Sequence, residues 1–206
     1  SEAISILKNW DYYAKENSVA TTLAVEWAYK LDPIIQKVYT DEGELDQVEN
    51  TMNFTKNAFP DQLIPQLQMV VNELKIKFGT WQIPWGEINR FQRTSGDINL
   101  IYNDALESLP IGFGPALWGS LPAYKSNYQK DTKKRYGTNG NSFVCAVEFG
   151  PKIKAKSILA GGNSGDPKSK HFYDQAEMYR KGQFKDVLFY KEDVRKNAEK
   201  TYHPGE

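Results

Sequence analysis

Residues 141–175 read NSFVCAVEFGPKIKAKSILAGGNSGDPKSKHFYDQ, and the fold prediction rests on this stretch. Its pattern predicts one β-strand over residues 142–149, a Gly-Pro turn and a second strand over residues 152–160. The glycines, Asn, Ser and Pro of residues 161–167 predict a loop. A helix is then predicted to begin at Asp174-Gln175, so the stretch forms a hairpin followed by a loop and a helix.

The first of these strands is apolar on both faces. Its alternating side chains are Phe143, Cys145, Val147 and Phe149 on one face and Val144, Ala146 and Glu148 on the other. A strand of this kind is usually buried between two layers, which would place the Glu148 carboxylate in an apolar layer where it needs a partner or a function. The alternative is that Glu148 reaches water at the strand end, beside the Gly-Pro turn.

Residues 1–79, upstream of this stretch, show mainly helical periodicity. Helices are predicted over residues 2–14, 19–31, 48–59 and 63–78. Ser1 and Ser18 are predicted as the N-caps of the first two, and Gly79 is predicted to end the last. The acidic residues 41–49 are predicted as a solvated loop, because they lack the ligand spacing of a calcium site.

Residues 80–206 mix loops, strands and short helices. The pattern predicts a loop and then a strand over residues 81–91, irregular structure over 109–123, a short helix to about residue 181, extended chain over 187–190 and a surface helix over 192–200. Lys plus Arg and Asp plus Glu each total 26, so the formal charge is zero. The basic, tyrosine-rich residues 125–135 are therefore predicted as a solvated loop rather than a nucleic-acid patch.

Together these elements predict an α+β fold in one domain, residues 1–206, with a helical layer packed on part of an antiparallel β-sheet. The length is sufficient for one core, and neither a linker nor an internal repeat divides it. With no run of about 18 apolar residues, the sequence predicts no membrane span.

Common catalytic and metal sites find little support in the residues themselves. Cys145 has no histidine near it in sequence and is predicted to be a buried structural thiol. Gly-Asn-Ser-Gly-Asp over residues 162–166 departs from the nucleophile-elbow pattern at its last position. Two histidines and one cysteine form no zinc site of usual spacing, so no metal or cofactor is predicted. His171, before the helix start at Asp174, is predicted to make a positioning hydrogen bond.

Residues 162–175, GNSGDPKSKHFYDQ, resemble the G-Q-S-G-D-P-x-S-P-H-Y-x-D-Q signature of the penicillin acylase family, with departures at Asn163, Lys170 and Phe172. Further blocks match in the family's order. They are Trp10-Asp11 with the helix after Ser18 and Trp27, residues 84–90 (P-W-G-x-x-H-R, with Asn89 where His is usual), residues 142–149 (S-F-V-x-x-V-E-F) and residues 183–187. The resemblance covers nearly the whole chain.

The resemblance implies that the chain is the C-terminal part of the large subunit of an N-terminal nucleophile amidohydrolase, a piece of the αββα fold. In that family the nucleophile is the serine that self-cleavage exposes at the start of the large subunit, and its own amine serves as the base. No nucleophile is therefore expected in this chain. Ser1 opens a helix that matches a late family segment, so it is expected to mark a boundary and not to act as nucleophile.

The resemblance also implies roles for individual residues. Glu148 matches a strand glutamate of the cephalosporin-acylase branch that assists a histidine near the nucleophile, which implies an orienting or electrostatic role. Residues 163–166 are expected to hold the sheet edge and the helix start together. The full set expected to be structural is Trp85, Gly86, Asn163, Ser164, Gly165, Asp166, Pro167, His171, Asp174 and Gln175.

The implied activity is hydrolysis of the amide bond of an N-acyl substrate, such as a β-lactam side chain or an acyl-homoserine lactone. The implied partners are that small molecule, the small subunit and the N-terminal part of the large subunit, with no nucleic acid. The family implies a periplasmic or secreted location, and the isolated chain is expected to be inactive. The alternative is a non-catalytic binding or interaction module that retains the acylase C-terminal architecture.

Overall fold

The computed structural model describes residues 1–35, 37, 39–203 and 205. The described chain groups into two compact units. Unit 1 comprises residues 1–92 and 100–140, and unit 2 comprises residues 93–99 and 141–206. Both units combine helices with small sheets, which confirms the predicted α+β class. The prediction that residues 1–206 form a single domain stays a prediction, and each unit is described by itself.

Unit 1 contains five α-helices and six strands among its described residues. The helices are α1 (Glu2–Lys8), α2 (Val19–Leu31), α3 (Gln47–Asn57), α4 (Pro60–Phe78) and α5 (Trp85–Ile88), with 3₁₀ turns at Asp32–Ile34 and Ala116–Trp118. The strands are β1 (Tyr39–Thr40), β2 (Gly43–Glu44), β3 (Asn89–Phe91), β4 (Leu109–Pro110), β5 (Tyr124–Tyr128) and β6 (Arg135–Gly140). The larger sheet has the order β4-β3-β6-β5, in which β3 and β6 run parallel and the other pairs antiparallel.

Local signals place the ends of the long helices. The Ser18 hydroxyl accepts a hydrogen bond from the Thr21 amide at 3.0 Å, as expected of an N-cap. Gly79 ends α4 with a φ of 78°, a conformation that glycine adopts without steric cost. Ser1 occupies the predicted N-cap position of α1, but its hydroxyl makes no capping hydrogen bond. The helix predicted over residues 2–14 ends earlier, at Lys8.

The core of unit 1 lies where α2 and α4 meet the short helix α5. Its fully buried members include Leu23, Val70, Trp85 and Ile88. Removing such a side chain from water stabilises the fold by about 1.5–3 kcal/mol per residue. The hydrophobic face predicted for residues 63–78 is therefore confirmed as the face that α4 buries.

A buried ion pair joins α2 to the sheet of unit 1. Arg135 on β6 lies 3.0 Å from the Glu26 carboxylate, and both side chains are largely removed from water. The Tyr128 hydroxyl donates to the same Glu26 oxygen at 3.1 Å, and the rings of Tyr29 and Tyr128 contact the guanidinium. Burial raises the Tyr128 pKa, so the hydroxyl keeps its proton as a donor.

Two predictions in this unit were wrong. The loop and strand predicted over 81–91 are separated by a short helix that was not predicted, since residues 85–88 form α5 and only residues 89–91 form the strand. Residues 125–135, predicted as a solvated loop, include most of β5 and the start of β6, and only residues 129–134 form the loop between them. Tyr124 and Ser126 face the interior while Lys125 faces water, so a half-buried strand explains the mixture of tyrosines and lysines. Residues 109–123, predicted to be irregular, contain β4 and a 3₁₀ turn.

Unit 2 contains the predicted hairpin. Strands β7 (Phe143–Glu148) and β8 (Lys154–Leu159) pair antiparallel from Phe143 opposite Leu159 to Glu148 opposite Lys154. Strand β9 (Lys185–Asp186) completes the order β7-β8-β9. Helices α6 (Ala176–Arg180) and α7 (Lys191–Lys196) lie close to the positions predicted for them. Strand β9 ends at Asp186, directly before the residues 187–190 that were predicted to be extended.

The burial predicted for the first strand of the hairpin was wrong for the described chain. Phe143 and Val147 are 57% and 45% exposed, and Cys145 is exposed rather than buried. Apolar composition on both faces predicted two covering layers, whereas the described residues leave β7 largely uncovered. None of the described helices is long and apolar enough to cross a membrane.

Candidate functional site

The signature loop, defined here as residues 161–175, is closed by backbone hydrogen bonds between its two ends. The Gln175 amide donates to the Gly161 carbonyl at 2.9 Å, and the Ser164 amide donates to the His171 carbonyl at 3.0 Å. A Cβ at Gly162 would collide with the His171 carbonyl oxygen and lie 2.7 Å from the Asp174 carboxylate. The second glycine of the loop must therefore be glycine for the two arms to approach.

The Gln175 side chain joins the loop to the sheet of unit 2. Its carbonyl oxygen accepts from the Leu159 amide at the end of β8 at 3.2 Å. Its amide group donates to the side-chain oxygen of Asn163 at 2.7 Å. Because Gln175 is buried and directly precedes α6, one side chain ties strand, loop and helix start together.

Arg93 is the residue of this site that sequence reasoning missed. Its guanidinium donates to the carbonyls of Ser164 and Phe172, the first at 2.9 Å, and lies 4.1 Å from the centre of the Phe172 ring. A cation with fixed donors can bind two loop carbonyls and stack on an aromatic ring at once. Arg93 lies outside every motif of the sequence, so no local signal pointed to it.

Asp166 shapes the exposed tip of the loop. Its carboxylate accepts from the Lys168 amide at 2.9 Å, and its own amide donates to the Ser164 hydroxyl at 3.1 Å. The Ser169 amide donates to the Asp166 carbonyl at 3.0 Å, with Pro167 lying between them. These are turn contacts of Asp and Ser with nearby backbone amides, so both side chains serve local geometry here.

His171 makes the positioning hydrogen bond that the sequence predicts. Its Nδ1 lies 2.7 Å from the Asp174 carboxylate, and its Nε2 lies 3.3 Å from the Glu199 carboxylate. These two acceptors raise the His171 pKa, Asp174 contributing more than Glu199. The hydrogen bonds described for the imidazole go to carboxylates and not to a serine or cysteine, which suits positioning rather than activation of a nucleophile.

The Trp85-Gly86 motif lies in unit 1. The Trp85 amide donates to the Ser18 carbonyl at 3.1 Å, and the Gly86 amide donates to the Glu16 carbonyl at 2.7 Å. A Cβ at Gly86 would lie 2.9 Å from the Cβ of Pro110 and 3.0 Å from Glu16. The motif therefore fastens α5 to the chain just before α2, at a distance that only glycine permits.

Asn89 stands where the resembling family usually has histidine. Its side-chain amide donates to the carbonyls of Ile111 and Phe113 at 2.7 and 3.0 Å. It is fully buried, and its side-chain oxygen has no hydrogen-bond partner among the described residues. The two donors of one terminal amide thus bind two carbonyls of the chain that follows β4.

Glu148 lies at the end of β7, and its side chain is 72% exposed. It sits 3.7 Å from the Lys154 ammonium, its cross-strand partner. Of the two interpretations of Glu148, the structure supports the one in which its carboxylate reaches water beside the Gly-Pro turn. A surface ion pair of this kind contributes about 0–1 kcal/mol, so it leaves the carboxylate free to meet another group.

A cleft of about 570 Å³ lies in unit 2 at the Glu148 end of the hairpin. Its walls include apolar Val147 and Leu188 together with three ion pairs, Lys152–Asp193, Lys154–Glu148 and Lys156–Asp186. The three ion pairs contribute no net charge to the lining of the cleft. In the part of the chain that the structure describes, no three side chains of His, Cys, Asp or Glu are grouped so that they could hold a metal ion.

Comparisons with known proteins cover nearly the whole chain. The model of the penicillin amidase family matches residues 1–196. The chain is 33% identical over 92 residues to an acyl-homoserine lactone acylase, PvdQ, of Pseudomonas syringae pv. syringae (strain B728a). The matched stretch is 43% of this chain and 11% of that protein. PvdQ of Pseudomonas savastanoi pv. phaseolicola (strain 1448A / Race 6) is 32% identical over 90 residues, 42% of this chain and 11% of the relative. The matched stretch thus spans about a tenth of these curated relatives.

Proposed function

The chain belongs to the penicillin amidase family, and we propose that it is the C-terminal part of the large subunit of an amidohydrolase of that family. The observation that carries the proposal is the family match over residues 1–196, which leaves little of the chain outside it. The small share of the relatives that the chain matches fits one part of a longer polypeptide. The small subunit and the N-terminal part of the large subunit are its proposed partners.

The proposed reaction is hydrolysis of the amide bond of an N-acyl small molecule. The hydroxyl of an N-terminal serine outside this chain attacks the amide carbonyl, an ester bond forms, and the amine leaves with the proton taken by the serine's own amino group. Water then cleaves the ester, which releases the acid and restores the serine. The relatives are named acyl-homoserine lactone acylases, which supports an acyl-homoserine lactone as the substrate, with a β-lactam side chain as the other candidate.

The proposed contribution of this chain is a rigid support. Gly162, Arg93 and Gln175 make the contacts that would keep the end of β8 and the start of α6 in fixed relation. A scaffold of this kind matters to catalysis because reacting groups must be held to within fractions of an ångström. The proposal also includes a periplasmic or secreted location.

Glu148 is proposed as a positioning residue toward a catalytic group of the remaining polypeptide. Its exposed carboxylate at the strand end and its weak pairing with Lys154 support this role. If Glu148 acts through another group, the Glu148→Gln variant is expected to have a changed pH profile of kcat and a nearly unchanged KM. An unchanged profile would leave Glu148 as a solvated strand end.

The test is amide hydrolysis by the full-length polypeptide and by the 206-residue chain. Acyl-homoserine lactones and phenylacetyl amides serve as substrates, and released amine is measured. The full polypeptide is expected to turn over at least one class, with a kcat in the ordinary enzyme range of about 1–1,000 per second, while the isolated chain is expected to show none. Turnover by the isolated chain at such rates would contradict the proposal. An inactive but correctly assembled full polypeptide would favour the non-catalytic binding module.

A further inference from the structure

The signature loop is in contact with the segment that follows α7, residues 197–203, which we call the post-α7 segment. Its Glu199 carboxylate lies 2.9 Å from the Lys170 ammonium and 3.3 Å from Nε2 of His171. Lys170 and His171 are neighbours in the signature loop, so one carboxylate meets two of its side chains. Glu199 therefore ties the post-α7 segment to the loop.

Both ends of this tie are particular to the chain. Lys170 is one of its three departures from the family signature, which has proline at that position. A proline has no ammonium group with which to attract a carboxylate. Glu199 lies beyond residues 1–196, the part of the chain that the family model matches. Membership of the family therefore does not account for the contact between Lys170 and Glu199.

The His171 imidazole stands between two carboxylates. Asp174 lies 2.7 Å from Nδ1, and Glu199 lies 3.3 Å from Nε2. An ionised carboxylate only accepts hydrogen bonds, and a protonated imidazole has an N–H for each of them, whereas a neutral imidazole has one N–H in all. Because Asp174 is the nearer acceptor, the remaining hydrogen of the neutral ring stays on Nδ1. The lone pair of Nε2 then faces the Glu199 carboxylate, which repels it.

The charged groups around the imidazole come from three parts of unit 2. Asp174 and Lys170 belong to the signature loop, Glu199 belongs to the post-α7 segment, and Arg93 reaches the loop backbone from the residues after β3. Asp174 and then Glu199 raise the pKa of His171, while Lys170 and then His171 lower the pKa of Glu199. The imidazole therefore loses its proton above about pH 6.5, where Glu199 is already ionised.

We propose that His171 is a pH-dependent latch: the protonated imidazole holds Glu199 and the post-α7 segment against the signature loop, and loss of the proton releases them while Asp174 keeps its contact. The latch goes beyond the proposed hydrolysis and does not depend on it, because its groups all lie within residues 170–199. Lys170 still attracts Glu199 at high pH, so the release is a shift in population. For an exposed ion pair this shift is expected to be about twofold to fivefold.

Cross-linking without a spacer measures the closed latch in the native full-length polypeptide. A triazine reagent that activates carboxylates joins Lys170 to Glu199 through an amide bond when the two side chains are in contact. The internal reference is the Lys181–Glu177 pair at α6, which is 3.0 Å apart and reacts by the same chemistry. From about pH 6 to about pH 9, the yield of the first cross-link relative to the second is expected to fall about twofold to fivefold. Both are read by mass spectrometry.

Three variants separate the latch from a general effect of pH. His171→Gln, which cannot gain a proton, is expected to make the ratio of the two cross-links independent of pH. His203→Gln changes the other histidine of the chain and is expected to keep the fall. In Asp174→Asn the new amide can donate to Nδ1, so the neutral imidazole keeps its hydrogen on Nε2 for Glu199. This variant is expected to hold the ratio within about 1.5-fold over the same range.

The latch would be overturned by a ratio that stays constant with pH in the native polypeptide, or by a fall that persists in His171→Gln. A fall of wild-type size in Asp174→Asn would also contradict it, because the release would then not come from competition for one proton. The same holds if the Lys181–Glu177 cross-link forms and the Lys170–Glu199 cross-link forms at no pH. None of these readings requires amide hydrolysis, so the latch and the proposed function fail separately.

Discussion

His171 is the residue whose contacts in the signature loop depend on pH. Asp174 and Glu199 both lie within hydrogen-bond distance of the imidazole, and Lys170 lies 2.9 Å from the same Glu199 carboxylate. Folding raises the His171 pKa above its ordinary value of 6.5. The stabilisation from the charged imidazole is therefore fully present below about pH 6.5 and is lost as pH rises through the raised folded value.

In urea unfolding of the wild-type chain, the midpoint concentration of urea is expected to fall as pH rises from about 6.5 through the raised pKa of His171. His171→Gln, which cannot titrate, is expected to remove this component of the pH dependence. His203→Gln, which changes the other histidine of the chain, is expected to keep it. A wild-type midpoint that rises with pH in this window, or an unchanged pH dependence in His171→Gln, would show that the imidazole contacts do not form in solution.

At this scale the sequence predicted the roles of some residues and missed others. A positioning hydrogen bond was predicted for His171 from its place before a helix start, and the structure shows that Asp174 is its partner. Arg93 could not be predicted, because its partners Ser164 and Phe172 lie more than 70 residues later in the chain. Cys145 was predicted to be buried from local composition, and local composition does not report whether a second layer is present. For Glu148 the sequence left a buried and a solvated position open, and the described side chain is exposed.

Among the elements, the β8–loop–α6 connection depends on a single glycine. Gly162→Ala is expected to destabilise the chain by about 2 kcal/mol or more, because the new methyl group meets a backbone carbonyl and the Asp174 carboxylate. Gly165→Ala in the same loop is the matched control, since its Cβ would meet nothing within 4 Å. The control is expected to change stability by less than about 0.5 kcal/mol.

Urea unfolding followed by circular dichroism measures both variants. Equal stabilities of Gly162→Ala and Gly165→Ala would mean that the two arms of the loop do not approach as described. A loss in both would point instead to a general requirement for chain flexibility in the loop.

The elements with strong local signals were predicted well. Helix α2 follows its Ser18 cap, α4 ends at Gly79, and the β7–β8 hairpin follows alternation and a Gly-Pro turn. Strands β5 and β6 were missed because a high lysine content was taken to indicate a loop. Their stability comes from partners distant in sequence, such as the parallel pairing of β6 with β3 and the contact of Arg135 with Glu26, and neither leaves a local pattern.

For the whole molecule, the exposed apolar strand and the family match support one account. The chain belongs to the penicillin amidase family, its matched stretch spans 11% of a curated relative, and the described β7 leaves apolar side chains exposed. The fold class could be predicted from the sequence. The catalytic centre could not, because the proposed nucleophile is a serine outside residues 1–206.

The most direct measurement is therefore the location of the reactive serine. The native full-length polypeptide is labelled with phenylmethanesulfonyl fluoride, amide hydrolysis is followed as it is lost, and the sulfonylated peptide is identified by mass spectrometry. One modified serine is expected at the N-terminus of a processed large subunit, upstream of residue 1, and no modification is expected within residues 1–206. Loss of activity that tracks modification of Ser1 or Ser164 would contradict it.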